Sequence, residues 1–215
     1  MGKFRTVIFD MDGVITNTMP YHFMAWQKVF SSLGIKVDRF DIYRREGQDG
    51  LTSVKEILRQ YNYKFSLAEA KAILAAKERL FKKKVRVRFV KGSRAFVRLL
   101  KRRDFCLALV TGTSRMEARK ILPVTLLRLF DATVTGDEVR QGKPHPEPFL
   151  RALGLLGISA KEAVVIENAP FGITAAKRAG LFCVALETSL PKTYLKEADR
   201  VFKTFKSLER AICFS

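Results

Sequence analysis

The stretch Val7-Ile8-Phe9-Asp10-Met11-Asp12-Gly13-Val14-Ile15 decides how the rest of the chain is interpreted. It opens with a short β-branched and aromatic run, which predicts a buried strand of a parallel sheet rather than a helix. Asp10 then lies where the carboxyl end of that strand meets a loop, the edge at which open α/β sheets bind ligands. We therefore expect a functional site here, the alternative being a strand that ends in a solvated Asp turn.

Asp10 and Asp12 form a pair of acids at this strand end. In an extended chain, residues two apart point their side chains roughly the same way. Two carboxylates in one site repel each other unless a cation lies between them or one of them is protonated. Phosphoryl transfer meets both conditions, because one Asp can attack phosphorus, Mg²⁺ can offset charge and the second Asp can protonate the leaving oxygen.

The composition is that of a globular protein with a strongly basic surface. The chain has 215 residues, 47% of them hydrophobic, which is enough for one domain and a smaller second one. The formal net charge is +19, with the densest basic run at 82–88, so nucleic acid is one partner to consider. Because basic residues occur along the whole chain, we do not expect nucleic acid to be the main partner.

The cysteines and the apolar runs argue against several other classes of protein. Cys106, Cys183 and Cys213 are an odd number without a Cys-x-x-Cys spacing, which argues against a disulfide framework or a zinc site. No apolar run is long enough for a signal peptide or a membrane span. We expect a cytoplasmic monomer that does not bind membranes.

The part of the chain after the first strand carries only helical patterns. Apolar residues recur at helical spacing from about residue 17 to residue 87. Thr18 is the candidate N-cap of the first helix, with Pro20 in its first turn. Ser53-x-x-Glu56 and Ser66-x-x-Glu69 are capping-box patterns, and each predicts the start of a further helix.

From Ser93 onward, strand and helix patterns alternate. Short apolar runs predict strands near 105–111, 132–135, 163–167, 181–186 and 200–202. Between them, the patterns predict helices near 93–103, 147–156 and 170–179. This alternation predicts an α/β protein with a doubly wound, Rossmann-like parallel sheet. The predicted core comprises residues 1–16 and 89–215, and an α-helical domain of residues 17–88 is inserted after the first strand.

Polar residues follow three more of the predicted strands. Thr111 precedes Gly112-Thr113-Ser114 and the predicted start of a helix. A hydroxyl, a glycine backbone and the free N–H groups of a helix start could together bind an anion. The alternative is that these residues only cap the helix. Lys143 lies in a proline-rich loop, 142–148, which would give this otherwise solvated side chain a defined direction. Glu167-Asn168 could ligate a cation through oxygen.

In this order the motifs resemble the haloacid dehalogenase-like (HAD) superfamily of phosphotransferases, over nearly the whole chain. The matching segments are Asp10-Met11-Asp12-Gly13-Val14, Val110-Thr111-Gly112-Thr113, Gly142-Lys143-Pro144-His145-Pro146-Glu147-Pro148 and Val165-Ile166-Glu167-Asn168-Ala169-Pro170-Phe171-Gly172-Ile173. The helical insertion resembles the α-helical cap of that superfamily. The nearest subgroup is that of the β-phosphoglucomutase-like sugar-phosphate phosphatases and mutases.

The resemblance implies a role for each matching core residue. Asp10 would be the nucleophile that becomes an aspartyl-phosphate, and also a Mg²⁺ ligand. Asp12 would be the general acid and base, with its backbone carbonyl on the metal. Thr111 and the Gly112 N–H would hold the phosphoryl oxygens, and Lys143 would neutralise the phosphoryl group and steady the nucleophile.

The resemblance also implies less specific roles for five further residues. Glu167 and Asn168 would complete the metal shell, although the family usually has two acids there and an Asn carbonyl brings no charge. Thr113 would contact substrate. His22 could face the site or simply pack on its helix, and Lys77 is a candidate for binding a substrate anion, with a solvated helix lysine as the alternative.

The function implied is an Mg²⁺-dependent phosphatase that hydrolyses a small phosphorylated metabolite, such as a sugar phosphate, through an aspartyl-phosphate. One alternative is a β-phosphoglucomutase-type mutase, and another is a protein that binds nucleic acid through its basic surface. Asp12 argues against a dehalogenase, since a leaving halide needs no proton. The turn at 46–53 contains no Arg to hold a second phosphate, and Glu46 and Asp49 would repel one if they face the site, which favours hydrolysis. Arg44 and Arg45 lie just upstream and could substitute for the missing Arg.

Overall fold

The computed structural model describes residues 4–211, which fold around a six-stranded parallel sheet. Its strands are β1 (Thr6–Phe9), β2 (Cys106–Val110), β3 (Ala132–Val134), β4 (Ala163–Glu167), β5 (Phe182–Leu186) and β6 (Arg200–Phe202), arranged in the order β3-β2-β1-β4-β5-β6. The predicted doubly wound α/β sheet is confirmed. The strand order reverses at β1, so a ligand crevice is expected at its carboxyl end.

The helices fall into two groups. Between β1 and β2 lie α1 (Met19–Ser31), α2 (Arg39–Arg44), α3 (Gly50–Gln60) and α4 (Leu67–Lys84). The remaining helices flank the sheet and are α5 (Ser93–Arg102), α6 (Arg115–Ile121), α7 (Val124–Leu127), α8 (Glu147–Leu156), α9 (Pro170–Arg178) and α10 (Phe205–Ala211).

Both faces of the sheet are covered, which explains why the strands are continuous apolar runs. The side chains of β1 alternate between two clusters. Ile8 packs in the same cluster as Phe149 of α8. Phe9 points to the other face, where its ring meets Phe96 of α5 edge-on with 6.3 Å between centroids. The central strand is thus fixed from both sides, and its carboxyl end has a defined position.

The helical insertion, by which we mean residues 17–88, joins the core through two adjacent segments. Thr16 forms an antiparallel bridge with Phe89, and the Asn17 N–H donates to the Arg88 carbonyl at 2.7 Å. The predicted boundaries coincide with this pair of segments. The assignment of the insertion as a separate domain stays a prediction.

The start of α3 differs from its prediction. The helix begins at Gly50, since the Asp49 side chain accepts the Thr52 N–H at 2.7 Å and takes the capping position. Ser53 therefore lies inside the helix, where its hydroxyl donates to Gln48. The Ser-x-x-Glu spacing was a wrong signal here because a better cap lies four residues earlier.

Two other predicted caps have opposite outcomes. Ser66 caps α4 as predicted, because its hydroxyl accepts the Glu69 N–H at 3.1 Å. Thr18 precedes α1 but makes no capping hydrogen bond, and its hydroxyl donates to Asp12 instead. The short helices α2, α7 and α10 had no distinct sequence signal.

Within residues 4–211, no helix combines the length and apolar character needed to cross a bilayer. Cys106 and Cys183 are free thiols, as expected, whereas Cys213 lies outside the described residues.

Candidate active site

Strand ends and one loop bring the predicted catalytic side chains together. Asp10 follows β1, Thr111 follows β2 and Glu167 ends β4, while Lys143 comes from the loop between β3 and α8. The carboxyl ends of parallel strands lie at one edge of a sheet, so these residues meet although they are far apart in the chain. All four are at most 3% exposed.

Lys143 is the buried centre of this group. Its ammonium nitrogen lies 2.6 Å from Asp10 Oδ1 and 2.6 Å from Glu167 Oε1. Burial would lower the pKa of Lys143, but the two carboxylates raise that pKa above its ordinary value. A buried cation is tolerated only with such partners, so Lys143 is held as a cation against the side chain of Asp10.

Asp10 keeps one oxygen available. Burial raises its pKa to about 8, against the lowering effect of the Lys143 ammonium. Its Oδ1 accepts from that ammonium, whereas its Oδ2 is buried and has no hydrogen-bond partner among residues 4–211. An unpaired buried carboxylate oxygen is costly, so this atom is suited to a ligand, a cation or a reacting phosphorus.

Asn168 provides a second unpaired oxygen. Its side chain is fully buried, and its Nδ2 donates to Ser189 Oγ at 3.0 Å. In the described part of the chain its Oδ1 has no partner. Gly13, at φ +89°, allows this arrangement, because a Cβ there would overlap with the Asn168 amide.

These oxygens fit a divalent cation such as Mg²⁺, which prefers oxygen ligands. Asp10 Oδ2 and Asn168 Oδ1 are both free to ligate it. Glu167 differs, since its Oε1 holds Lys143 and its Oε2 accepts the N–H groups of Asn168 and Ala169 at 2.9 and 3.3 Å. The described residues contain no cluster of three or more His, Cys, Asp or Glu side chains that could hold a metal ion. The role of Glu167 as a ligand stays a prediction.

Asp12 is held by hydroxyl groups. Its Oδ1 accepts from Thr18, and its Oδ2 accepts from Thr113 Oγ1 at 3.1 Å. The Nε2 atom of His22 lies 3.7 Å from Oδ1. Burial alone would raise the pKa of Asp12, but its interactions with His22, Thr18 and Thr113 hold that pKa below its usual value.

His22 faces the site, and Lys77 supports it. The Lys77 ammonium lies 3.1 Å from His22 Nδ1 and can only donate, so Nδ1 accepts and the ring proton is on Nε2, towards Asp12. The ring stacks on Phe81 with 4.0 Å between centroids. Burial lowers the pKa values of both His22 and Lys77. The alternative of a solvated Lys77 is wrong, because this side chain is buried.

The segment after β2 forms a tight turn. The Thr113 N–H donates to Thr111 Oγ1 at 3.1 Å, and Ser114 caps α6. A Cβ on Gly112 would lie 3.0 Å from the carbonyl oxygen of Gly47 in the helical insertion. Only a small residue allows these two backbones to approach this closely. A glycine at position 112 is therefore needed for packing, in addition to its predicted role in binding phosphoryl oxygens.

A cavity of about 430 Å³ lies between the helical insertion and this edge of the sheet. The insertion contributes His22, Glu46 and Lys77 to its wall, and the core contributes Gly112 and Thr113. A smaller cavity of about 60 Å³ shares Gly112 and is also lined by Thr111 and Lys143. Pockets for small molecules typically measure about 300–1,000 Å³, so the larger cavity has room for one small metabolite.

The family model of the haloacid dehalogenase-like hydrolases matches residues 4–180. The chain belongs to this family. The predicted membership is thus confirmed, and so is the likeness to β-phosphoglucomutase-like proteins and sugar-phosphate phosphatases. The role assigned to each residue stays a prediction.

Similar proteins of this family include phosphatases and mutases. The phosphorylated carbohydrates phosphatase of Thermotoga maritima is 35% identical over 183 residues, which is 82% of each chain. The beta-phosphoglucomutase of Bacillus subtilis is 32% identical over 194 residues, which is 87% of this chain and 85% of that protein. A crystal structure of beta-phosphoglucomutase from Clostridium difficile has a TM-score of 0.80 at 25% identity and covers 96% of each chain.

In this HAD-like hydrolase, Glu46 is a site residue that sequence patterns identified only as a group that would repel phosphate if it faced the site. It is half-buried and lines the larger cavity, and its side chain makes no hydrogen bond or ion pair within residues 4–211. Burial, and then the nearby charges of Asp12 and Asp10, raise its pKa well above the usual value. No spacing pattern indicated that the turn carrying Glu46 would face these acids.

The arginines beside Glu46 have other partners. Arg45 is buried and binds Glu56 and Gln60 within the insertion. Arg44 is exposed and pairs with Asp41. Both guanidinium groups are thus engaged by acids of the insertion, while Arg45 also lines the larger cavity and its buried Nε has no partner within residues 4–211. A role for either arginine in holding a phosphate stays a prediction.

Proposed function

We propose that this phosphoric monoester hydrolase is an Mg²⁺-dependent phosphatase of sugar phosphates or similarly small esters, acting through an aspartyl-phosphate on Asp10. One observation carries the proposal. Lys143 binds one oxygen of Asp10 at 2.6 Å and leaves the other oxygen buried and unpaired. A carboxylate held in this way is oriented for attack, and the neighbouring cation offsets the charge of an incoming phosphoryl group.

The first step transfers the phosphoryl group to the enzyme. Asp10 Oδ2 forms a bond to phosphorus, and the bond between phosphorus and the leaving oxygen breaks. The negative charge of the bound phosphate ester favours protonation of Asp12, whose pKa lies below its usual value when no substrate is present. Asp12 then gives this proton to the leaving oxygen, so the alcohol leaves as a neutral molecule. Thr111 and the Gly112 N–H bind the phosphoryl oxygens during the transfer.

The second step returns the enzyme to its starting state. Asp12, now a carboxylate, takes a proton from a water molecule that attacks phosphorus. The bond between phosphorus and Asp10 breaks, inorganic phosphate leaves, and both carboxyl groups recover their initial protonation. The hydrogen bonds from Thr18 and Thr113 keep the Asp12 carboxylate in one orientation for both proton transfers.

We propose that Asn168 Oδ1, the Asp12 backbone carbonyl and the Asp10 oxygen that does not attack phosphorus would hold Mg²⁺. When bound, the ion would neutralise phosphoryl charge and orient the phosphoryl group. Asn168 supports the proposal, because its Oδ1 is buried and unpaired within residues 4–211. In this proposal Glu167 is not a ligand of the ion and acts by binding the Lys143 ammonium.

We further propose that residues 17–88 act as a cap that selects the substrate. The insertion supplies His22, Glu46 and Lys77 to the cavity wall, so the alcohol part of the substrate would contact this side. The relative from Thermotoga maritima is named for phosphorylated carbohydrates, which fits a cavity of about 430 Å³. A mutase uses the same core, and no observation favours it over a phosphatase.

A screen of phosphorylated metabolites tests the proposal. The full chain is incubated with each sugar or polyol phosphate and Mg²⁺, and released phosphate is measured. We expect release from several small monoesters, loss of release with EDTA, and recovery when Mg²⁺ is restored. Absence of phosphate release from every monoester by the folded protein would refute the phosphatase assignment.

A further inference from the structure

The most basic part of the chain lies mainly outside the catalytic cavity, to whose wall it contributes Phe81 and Lys82. We define the basic segment as residues 79–103, where twelve of 25 residues are Lys or Arg and none is Asp or Glu. Eleven of these cations are exposed, and Lys101 is half-buried. The segment runs from the last part of α4 through the connection to the core and along all of α5.

Helix α5 arranges part of this charge in a line. It buries Ser93, Phe96, Val97 and Leu100. Arg94, Arg98 and Arg102 are exposed and four residues apart, so they share the outer face of the helix, about 6 Å apart along its axis. We call these three residues the arginine stripe.

Few of these cations have an acidic partner. Lys82 pairs with Glu117 and Lys101 pairs with Asp131. Within residues 4–211, the three arginines of the stripe make no ion pair, and Arg94 lies over the Phe89 ring at 4.5 Å. Unpaired like charges this close repel one another, and a polyanion would relieve that repulsion.

The surface chemistry distinguishes between polyanions. Arg guanidinium groups match phosphate with two parallel hydrogen bonds. Membrane-inserting surfaces add large apolar side chains, and single-strand binders add aromatic platforms. Among the exposed large apolar residues of the described part, Val87 is the one in the basic segment, and Phe89 is covered by Arg94. Phosphates are therefore what this surface fits, without an apolar anchor or base stacking.

We propose that the basic segment, centred on the arginine stripe, binds the phosphate backbone of double-stranded nucleic acid without sequence preference. This is a second binding surface, since no residue of α5 lines the catalytic cavity. In the sequence, basic residues occur along the whole chain, which does not favour nucleic acid as the main partner. The folded chain changes that view, because the acid-free segment presents its cations on one helix face and the adjoining connection.

Charge reversal with a matched control tests this proposal. The full chain is titrated into a labelled DNA duplex of about 20 base pairs at several salt concentrations, and anisotropy reports binding. The test variant carries Arg94→Glu, Arg98→Glu and Arg102→Glu. The control carries Lys36→Glu, Lys64→Glu and Lys71→Glu, three exposed cations of the helical insertion, and has the same net charge.

We expect the wild-type protein to bind the duplex with an affinity that falls linearly with salt on logarithmic axes. The test variant should bind at least about tenfold more weakly, with a salt slope lower by about three, while the control stays close to wild type. Both variants should keep phosphate release, which shows that they are folded. Three results would each overturn the proposal. They are an equal loss of duplex affinity in both variants, no duplex binding by the wild-type protein at low salt, and stronger binding to single strands or anionic vesicles than to the duplex.

Discussion

The ammonium nitrogen of Lys143 lies 2.6 Å from Asp10 Oδ1, although the two residues are 133 positions apart in the chain. Both side chains are 1% exposed, so this pair is shielded from water and from salt. The contact fixes which carboxylate oxygen of Asp10 is engaged and which one is free.

Asp10→Asn should leave the fold intact and abolish turnover, because an amide cannot attack phosphorus. We expect phosphate release to fall by about a thousandfold or more, as for loss of a nucleophile. Circular dichroism and thermal unfolding would verify that the variant is folded. Near-normal phosphate release by a folded Asp10→Asn protein would contradict the role of Asp10 as nucleophile.

Lys143→Met should destabilise the protein strongly. Removing this cation leaves Asp10 and Glu167 as buried acids without a partner, and breaking a buried ion pair costs about 3–5 kcal/mol. Lys177→Met is the matched control, because Lys177 also lies 2.6 Å from an acid, Asp199, but at the surface. We expect Lys177→Met to lower the free energy of unfolding by about 1 kcal/mol or less. Urea unfolding of both variants measures the difference, and similar losses would contradict the structural role of the buried pair.

Gly172→Ala should be harmful even though alanine normally favours a helix. A Cβ on Gly172, in α9, would overlap with the Glu167 carboxylate and displace it from Lys143. Gly154, in α8, has no atom within 4 Å of such a Cβ, so Gly154→Ala should stabilise the protein by about 0.5–1 kcal/mol. Thermal unfolding should therefore shift in opposite directions for the two variants. A stabilising Gly172→Ala would mean that Glu167 does not need its present position.

Asn168→Asp should lower the Mg²⁺ concentration needed for half-maximal activity, by about tenfold, because a second carboxylate adds negative charge at the metal. Calorimetric titration with Mg²⁺ would measure the same change independently of turnover. An unchanged or higher Mg²⁺ requirement would show that Asn168 does not lie next to the ion.

Ser189→Ala should act in the opposite direction. Ser189 Oγ accepts a hydrogen bond from the Asn168 amide at 3.0 Å and thereby orients its carbonyl oxygen. Loss of such an orienting contact typically weakens metal affinity by about 10–100-fold. Calorimetric Mg²⁺ titration of Ser189→Ala checks this, with Ser207→Ala, in α10, as the control. Unchanged Mg²⁺ affinity in Ser189→Ala would mean that Asn168 is oriented by other contacts.

The sequence predicted the sheet and the residues at its strand ends because those signals are local. A run such as Val7 to Phe9 is apolar because both of its faces are buried, and Asp10 follows it directly. The bounds of α8, Glu147–Leu156, agree with the prediction for the same reason, since proline and acid mark its first turn. Parallel pairing then brings the strand ends to one edge.

The remaining contacts of the site depend on tertiary structure. Thr18 was assigned as a cap, and its hydroxyl instead binds Asp12 across the turn that follows β1. Ser189 meets Asn168 across 21 residues, and Lys77 meets His22 across 55. No periodicity or spacing encodes these pairs, because each depends on how the insertion and the loops pack against the sheet.

The last prediction separates a phosphatase from a mutase, which share Asp10, Asp12 and Lys143. A mutase must hold a sugar phosphate in two orientations, so its cap needs a cation for the phosphate that is not reacting. In this structure the buried guanidinium of Arg45 is engaged by Glu56 and Gln60, and the Lys77 ammonium in the cavity wall contacts His22 Nδ1 at 3.1 Å. Glu46 also faces the cavity, where its carboxyl group offers no positive charge to a second phosphate and can form hydrogen bonds with hydroxyl groups.

We therefore expect net hydrolysis of sugar monophosphates without a bisphosphate activator. The test is to incubate β-glucose 1-phosphate with Mg²⁺ and a trace of glucose 1,6-bisphosphate, and to follow both free phosphate and glucose 6-phosphate. Free phosphate should be the main product, and the bisphosphate should not accelerate its release. Glu46→Gln keeps the size of the side chain and a neutral polar group, so free phosphate should remain the main product. Rapid formation of glucose 6-phosphate with little free phosphate would identify a mutase, because the phosphoryl group on Asp10 would then pass to the sugar instead of to water.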